Sequence, residues 1–250
     1  MSRNIEPIQK SDDRPSRVYQ GTIYDLYGFY RIIPLIDLPL SFLADTILLP
    51  ITVHEQFFTG ALQKSSEEGD VTSVGILLAN GADVNGRDAY GQTALISAVR
   101  TGQEKIVDVL IKNGADMNAK SKHLEATPLM FALMNHHEKI ANILLIKGAD
   151  INTKDARGLT VIMYAAAYGS EEFIESLISR GVDINAMDFY GETALRIAAA
   201  RGDIKIVELL LAKGPDPNKK KYEYLTPLNQ AIHYGHTDII KLLRQAGALE

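Results

Sequence analysis

Between Gly181 and Gly214 the chain reads GVDINAMDFYGETALRIAAARGDIKIVELLLAKG, and this stretch decides the fold. Thr193 stands directly before an apolar, alanine-rich run, where its hydroxyl can accept an orphan backbone N–H and start a helix. Gly202 follows nine residues later. A second apolar run ends in Leu209-Leu210-Leu211, and Gly214 closes it, as glycine does where the chain must turn left-handed after a helix. The opening Val182-Asp183-Ile184-Asn185 and the later Asp188-Phe189-Tyr190-Gly191 read as turns. One helix pair with a hairpin finger is therefore written in about 33 residues.

Working outward, the glycine recurs at Gly81, Gly114, Gly148, Gly181, Gly214 and Gly247, at spacings of 33, 34, 33, 33 and 33. Ala82-Asp83-Val84-Asn85, Ala115-Asp116-Met117-Asn118, Ala149-Asp150-Ile151-Asn152 and Pro215-Asp216-Pro217-Asn218 repeat the turn after it. The helix start recurs as Gly91-Gln92-Thr93-Ala94-Leu95, Thr127-Pro128-Leu129, Gly158-Leu159-Thr160 and Thr226-Pro227-Leu228. Proline suits a first helical turn, having no N–H to leave unpaired. Ala98, Ala132, Ala165, Ala198 and Ala231 share one position, where a small side chain lets neighbouring first helices approach. A single unit cannot bury its apolar face, whereas a stack can.

From Glu55 to Ala248 this pattern resembles the ankyrin repeat. The resemblance implies an all-α solenoid of about six helix-turn-helix repeats with short hairpin fingers, made to bind another protein. The third repeat has one extra residue and reads Lys122-His123-Leu124-Glu125 in its finger, with His136 where other repeats have Gly102, Gly169, Gly202 and Gly235. Pro215, Pro217 and the run Lys219-Lys220-Lys221 predict a distorted last finger.

The N-terminal part differs. Residues 1–17 are polar, without the apolar core of a signal peptide, and read as a flexible tether. Residues 18–54 are apolar and aromatic. Tyr19-Gln20-Gly21 with Tyr24-Asp25, then Leu38-Pro39-Leu40-Ser41 through Asp45-Thr46 and Leu48-Leu49-Pro50, resembles the YceK/YidQ-type family of small bacterial envelope lipoproteins. The resemblance implies a lipidated cysteine, and this sequence has none. A membrane tether would require one upstream of Ser2; Leu249-Glu250 at the other end has the look of a cloning remnant. Asp37, Pro34, Pro39, Asp45 and Pro50 break the apolar stretch too often for a membrane span. We expect this segment to cap residues 55–250, because an open stack exposes its last apolar layer.

Composition narrows the chemistry. A net charge of -5 speaks against a nucleic-acid partner. Without cysteine there is no disulfide framework and no thiolate metal site. Of six histidines, His136 and His137 are adjacent and diverge on a helix, and His233 and His236 lack an obvious third ligand. No phosphate-binding glycine loop or nucleophile elbow occurs. We expect no enzyme activity, no cofactor and no metal.

What remains is the surface that finger tips and first helices share. Register places Ala89, Tyr90, Gln92 and Arg100 on it from the second repeat, and Leu124, Met134 and Asn135 from the third. Arg157, Leu159 and Tyr168 come from the fourth, and Phe189, Tyr190, Glu192 and Arg201 from the fifth. The last repeat adds Tyr222, Tyr224, His233 and Tyr234. Tyrosine and arginine dominate binding hot spots, so this face is the expected partner site. The two resemblances together imply an immunity or inhibitor protein in the periplasm, monomeric when free. It would neutralise a secreted antibacterial toxin, for example a lipase-type type VI secretion effector. An envelope scaffold and a secreted effector acting in a host cell are the alternatives.

Overall fold

The computed structural model describes residues 51–222 and 226–249, with side chains from residue 56. Twelve α-helices stand among them in six pairs. α1 (Ile51–Glu68) precedes α2 (Val71–Ala79), and α3 (Ala94–Arg100) precedes α4 (Glu104–Lys112). The next pairs are α5 (Pro128–Met134) with α6 (Glu138–Ile146), and α7 (Val161–Tyr168) with α8 (Glu171–Ser179). The last are α9 (Ala194–Arg201) with α10 (Ile204–Ala212), and α11 (Pro227–Tyr234) with α12 (Thr237–Gln245). An isolated antiparallel bridge from Lys154 to Thr160 is the one extended pairing among the described residues. The all-α solenoid read from the sequence is the fold found.

First helices pack on first helices along the stack, more closely than second helices pack on one another. The alanines explain the approach: Ala98, Ala132, Ala165, Ala198 and Ala231 are each 0% exposed. Behind them Leu77, Leu110, Leu144, Leu177, Leu210 and Leu243 are buried at one repeating position of the second helices. Each such leucine contributes roughly 1.5–3 kcal/mol relative to exposure.

The caps follow the sequence closely. Thr93, Thr127, Thr193 and Thr226 each accept the N–H three residues on, from Ile96, Met130, Arg196 and Asn229. Each second helix ends in a left-handed glycine, with φ between 75° and 93° from Gly81 to Gly247. At the first, Ala82 N–H reaches Leu77 O and Gly81 N–H reaches Leu78 O, the six-to-one and five-to-two bonds of a Schellman ending. Asn80 and Asn113 tie their own amides back to Ile76 O and Val109 O, both at 2.8 Å. Asp83, Asp116, Asp150, Asp183 and Asp216 then accept the N–H two residues on and turn the chain. Asn85, Asn118, Asn185 and Asn218 bridge to the backbone of the next turn at 2.7–3.0 Å.

The turn after Gly214 is regular: Asp216 and Asn218 make the same bonds as their counterparts, and the finger expected to be distorted runs on into residues 223–225, outside the described residues. Pro215 loses only the six-to-one bond, for want of an N–H. Gly169 is not left-handed like Gly102, Gly202 and Gly235; its φ is -91°, and Ser170 caps α8 instead. The expected boundary at 54/55 falls inside α1, an 18-residue helix where other first helices have seven or eight. Gln63 on α1 donates to Gln92 O at 2.6 Å, so this longer helix lies against the first finger. The tether and most of the expected capping module, residues 1–50, lie outside the described residues.

Candidate partner-binding face

Three fingers are built on a carboxylate, buried at Asp155 and Asp188 and half-buried at Asp88. Asp88, Asp155 and Asp188 each accept two N–H groups of their own finger, from the residues two and four positions on, at 2.7–2.9 Å. Asp155 takes a third bond from the Tyr164 hydroxyl at 2.8 Å. Burial first, and that bond second, push the Tyr164 phenol well above the ordinary tyrosine range. Successive fingers are joined by main-chain bonds: Lys122 N–H to Tyr90 O, Ala156 N–H to Leu124 O, and Phe189 N–H to Arg157 O. These close approaches leave no room for a side chain at Gly91, where a Cβ would stand 2.9 Å from Lys122 N. In the third finger the extra residue is absorbed by Glu125, held at φ 49° where other fingers use glycine.

This scaffold puts most of the expected residues on its surface. Tyr90, Tyr190, Phe189, Tyr222 and Leu124 stand exposed at the finger tips, the two tyrosines Tyr90 and Tyr190 at 62%. Arg157 is exposed beside them, and Arg100, Tyr168, Arg201, His233 and Tyr234 are exposed at the ends of the first helices. Gln92 and Met134 are half-buried. Leu159 is a correction: it is 7% exposed, turned into the core, because an apolar side chain gains nothing at a position where Gln92 and Glu192 reach outward. Tyr224 lies outside the described residues.

Some of these rings are held by neighbours. Tyr168 meets His136 edge-on at 5.7 Å and stacks on Tyr164. Tyr234 packs between His233 and His236. Tyr90 and Tyr190 engage no other ring among the described residues, and Phe189 lies over the backbone of Gly158. The histidines do structural work: His137 Nε2 is 3.2 Å from Arg100 O and His236 Nε2 is 3.1 Å from Ala200 O, each binding one repeat to the previous one. Among the described residues no three His, Asp or Glu side chains gather as a metal site would need.

Two polar pairs sit at the foot of the fingers. Arg100 donates to Gln92 Oε1 at 2.7 Å. Glu192 pairs with the buried Arg196 at 3.0 Å. Burial lifts the Glu192 carboxyl above its ordinary range, against the pull of Arg196, with Asp188 adding to the rise and Arg157 opposing it. Between the second and third repeats a hollow of about 370 Å³ opens, lined by Tyr90, Gln92, Arg100, Leu124 and Met134. Ser121, His123, Phe131 and Asn135 complete it. Register had singled out Asn135 with the five expected residues. Ser121 and His123 had no sequence signal, since the extra residue in this finger breaks the spacing that would have mapped them; Phe131, buried in α5, reads by register as core.

Stacked helix pairs that present finger tips and first-helix ends on one face define a repeat-built binding module. The ankyrin-repeat family model matches residues 46–121, 62–155, 129–221 and 162–249, and the chain belongs to this family. That match leaves most of residues 18–54 uncovered, and the lipoprotein resemblance read there gains no support from it. No curated protein matches the chain. Among solved structures, it is similar to a chain in the complex of Bd0816, a predatory endopeptidase from Bdellovibrio bacteriovorus, with immunity protein Bd3460. Identity is 30%, the TM-score 0.67, and the match covers 74% of this chain and 97% of that one. The protein is a protein-binding ankyrin module.

Proposed function

We propose that the protein is a non-catalytic immunity or inhibitor protein that binds and masks a toxic enzyme. The observation that carries this reading is the similarity, over three quarters of the chain, to a structure in which an immunity protein is bound to an endopeptidase. The face described above supports it, with exposed aromatic side chains and arginines on a rigid scaffold that loses little freedom on docking. A peptidase acting on the bacterial envelope is thereby the favoured target class, ahead of a lipid-degrading effector. The periplasm is the compartment that target and the lipoprotein-like residues 18–54 suggest, with type VI secretion as one delivery route. An envelope scaffold is the second reading.

The test is co-expression of the protein, directed to the periplasm, with envelope-active peptidases and lipases encoded beside its gene. Rescue of growth and a stable complex in purification are expected. Persistent toxicity with no complex for any of them, together with capture of resident envelope proteins only, would replace this reading with the scaffold.

A further inference from the structure

The protein as a whole is acidic, at -5, yet the face assembled above is not. Arg100, Arg157 and Arg201 stand exposed on it, and none has a carboxylate within ion-pair distance among the described residues. Glu192, the acidic side chain mapped to the same face, is already paired with Arg196. The face thus carries three exposed guanidinium groups without an ion-pair partner, while the finger carboxylates Asp88, Asp155 and Asp188 are engaged by backbone N–H groups of their own fingers. A side chain order that left them idle would gain nothing from placing guanidinium groups there; paired with incoming carboxylates they form two-pronged bonds.

The hollow beside Arg100 adds a shape. Its walls are Tyr90, Leu124, Phe131 and Met134, apolar enough to accept a ring. Ser121, also in the lining, is 6% exposed, and its hydroxyl is buried without a hydrogen-bond partner. That oxygen is closed off from the hollow, but Gln92, His123 and Asn135 add polar side chains to the lining, which suits a ring that carries a hydroxyl.

We infer that the partner presents an acidic segment carrying a tyrosine, whose ring enters the hollow between the second and third repeats while flanking carboxylates engage Arg100 and the arginines further along the face. This rests on the protein-binding reading but not on the partner being a toxin. Attraction between an acidic segment and this face speeds encounter and weakens with salt.

The test uses a probe in place of the partner. An N-acetylated, amidated Asp-Glu-Tyr-Asp-Glu peptide and its Lys-Lys-Tyr-Lys-Lys counterpart are titrated into the isotopically labelled full chain, following backbone amide shifts. The acidic peptide is expected to move the amides of Tyr90, Leu124 and Met134, and to lose binding as salt is raised. Arg100→Glu is expected to weaken it about tenfold, near 1.4 kcal/mol, while Lys139→Glu on α6 leaves it unchanged. Melting temperatures of both variants control for folding; should Arg100→Glu unfold the chain, Arg201→Glu serves as the second reversal. Equal binding of the two peptides, or equal loss in Lys139→Glu, overturns the inference. Peptide binding without any toxin complex would leave this inference standing and remove the immunity reading; a toxin complex insensitive to Arg100→Glu and to salt would do the reverse.

Discussion

Thr160 occupies the same place as four other cap threonines, yet it behaves differently. Its hydroxyl is buried without a partner, and its own N–H faces the Met163 sulfur at 3.5 Å. Thr193, by contrast, accepts Arg196 N–H at 3.1 Å. Thr193→Ala should therefore lower stability by about 1 kcal/mol, the usual value of such a cap. Thr160→Val should be neutral or stabilising, since it replaces an unpaired hydroxyl with a methyl of the same shape. Denaturant midpoints of the two variants check this, and the reverse order would contradict it. Spacing alone made all five threonines equal; Thr127 and Thr160 even share a methionine at the third helical position, Met130 and Met163, so the difference is one of side-chain placement that no period encodes. The same limit explains Leu159, which shares its register with Gln92 and Glu192 but follows its apolar side chain inward.

Among the elements, the first helix pair was the hardest to read. Its first helix has no threonine cap and no preceding finger, so the glycine register that defined the other pairs begins only at its end. α1 runs where a finger would have been, and nothing periodic announces that substitution. The second helix of the pair is plainer. Asp70 caps α2, accepting Ser73 Oγ at 2.6 Å and Ser73 N–H at 3.1 Å. These bonds, the side-chain one foremost, hold its carboxyl below the ordinary value of 3.8. A carboxyl lowered by folding stabilises above its unfolded pKa and loses that contribution as pH falls through the folded one. Asp70→Ala should cost about 1 kcal/mol near neutral pH, with the gap from the parent closing below pH 3.8. Thermal melts across that range decide it; a constant gap at every pH would show that the carboxylate charge is irrelevant.

At the scale of the whole array, the fold was legible because a stack repeats one set of physical demands: small alanines between first helices, a leucine behind, and a glycine to turn. The binding face was legible as a direction, not as a cavity. The hollow arises where the extra residue of the third finger shifts its main-chain link from the usual tip to Leu124 O, an event with no precedent in the other repeats. Because each repeat touches mainly its neighbours, opening can begin locally.

The asparagine caps give that opening a chemical record. Asn80, Asn85 and Asn113 each precede a glycine, the pairing in which a backbone nitrogen most readily attacks the side-chain carbonyl and expels ammonia. In the folded chain those nitrogens donate elsewhere, Gly81 to Leu78 O, Gly86 to Asp83 O and Gly114 to Ile111 O. Their amide groups are fastened too, Asn85 through Gly114 O at 3.1 Å. Deamidation at these sites must therefore wait for the local structure to open, so the folded protein should age far more slowly than its unfolded chain. Mass spectrometry of stored protein would then count openings repeat by repeat: equal rates at the three sites mean that the array opens as one body, and faster loss at Asn80 means that it frays from the first pair.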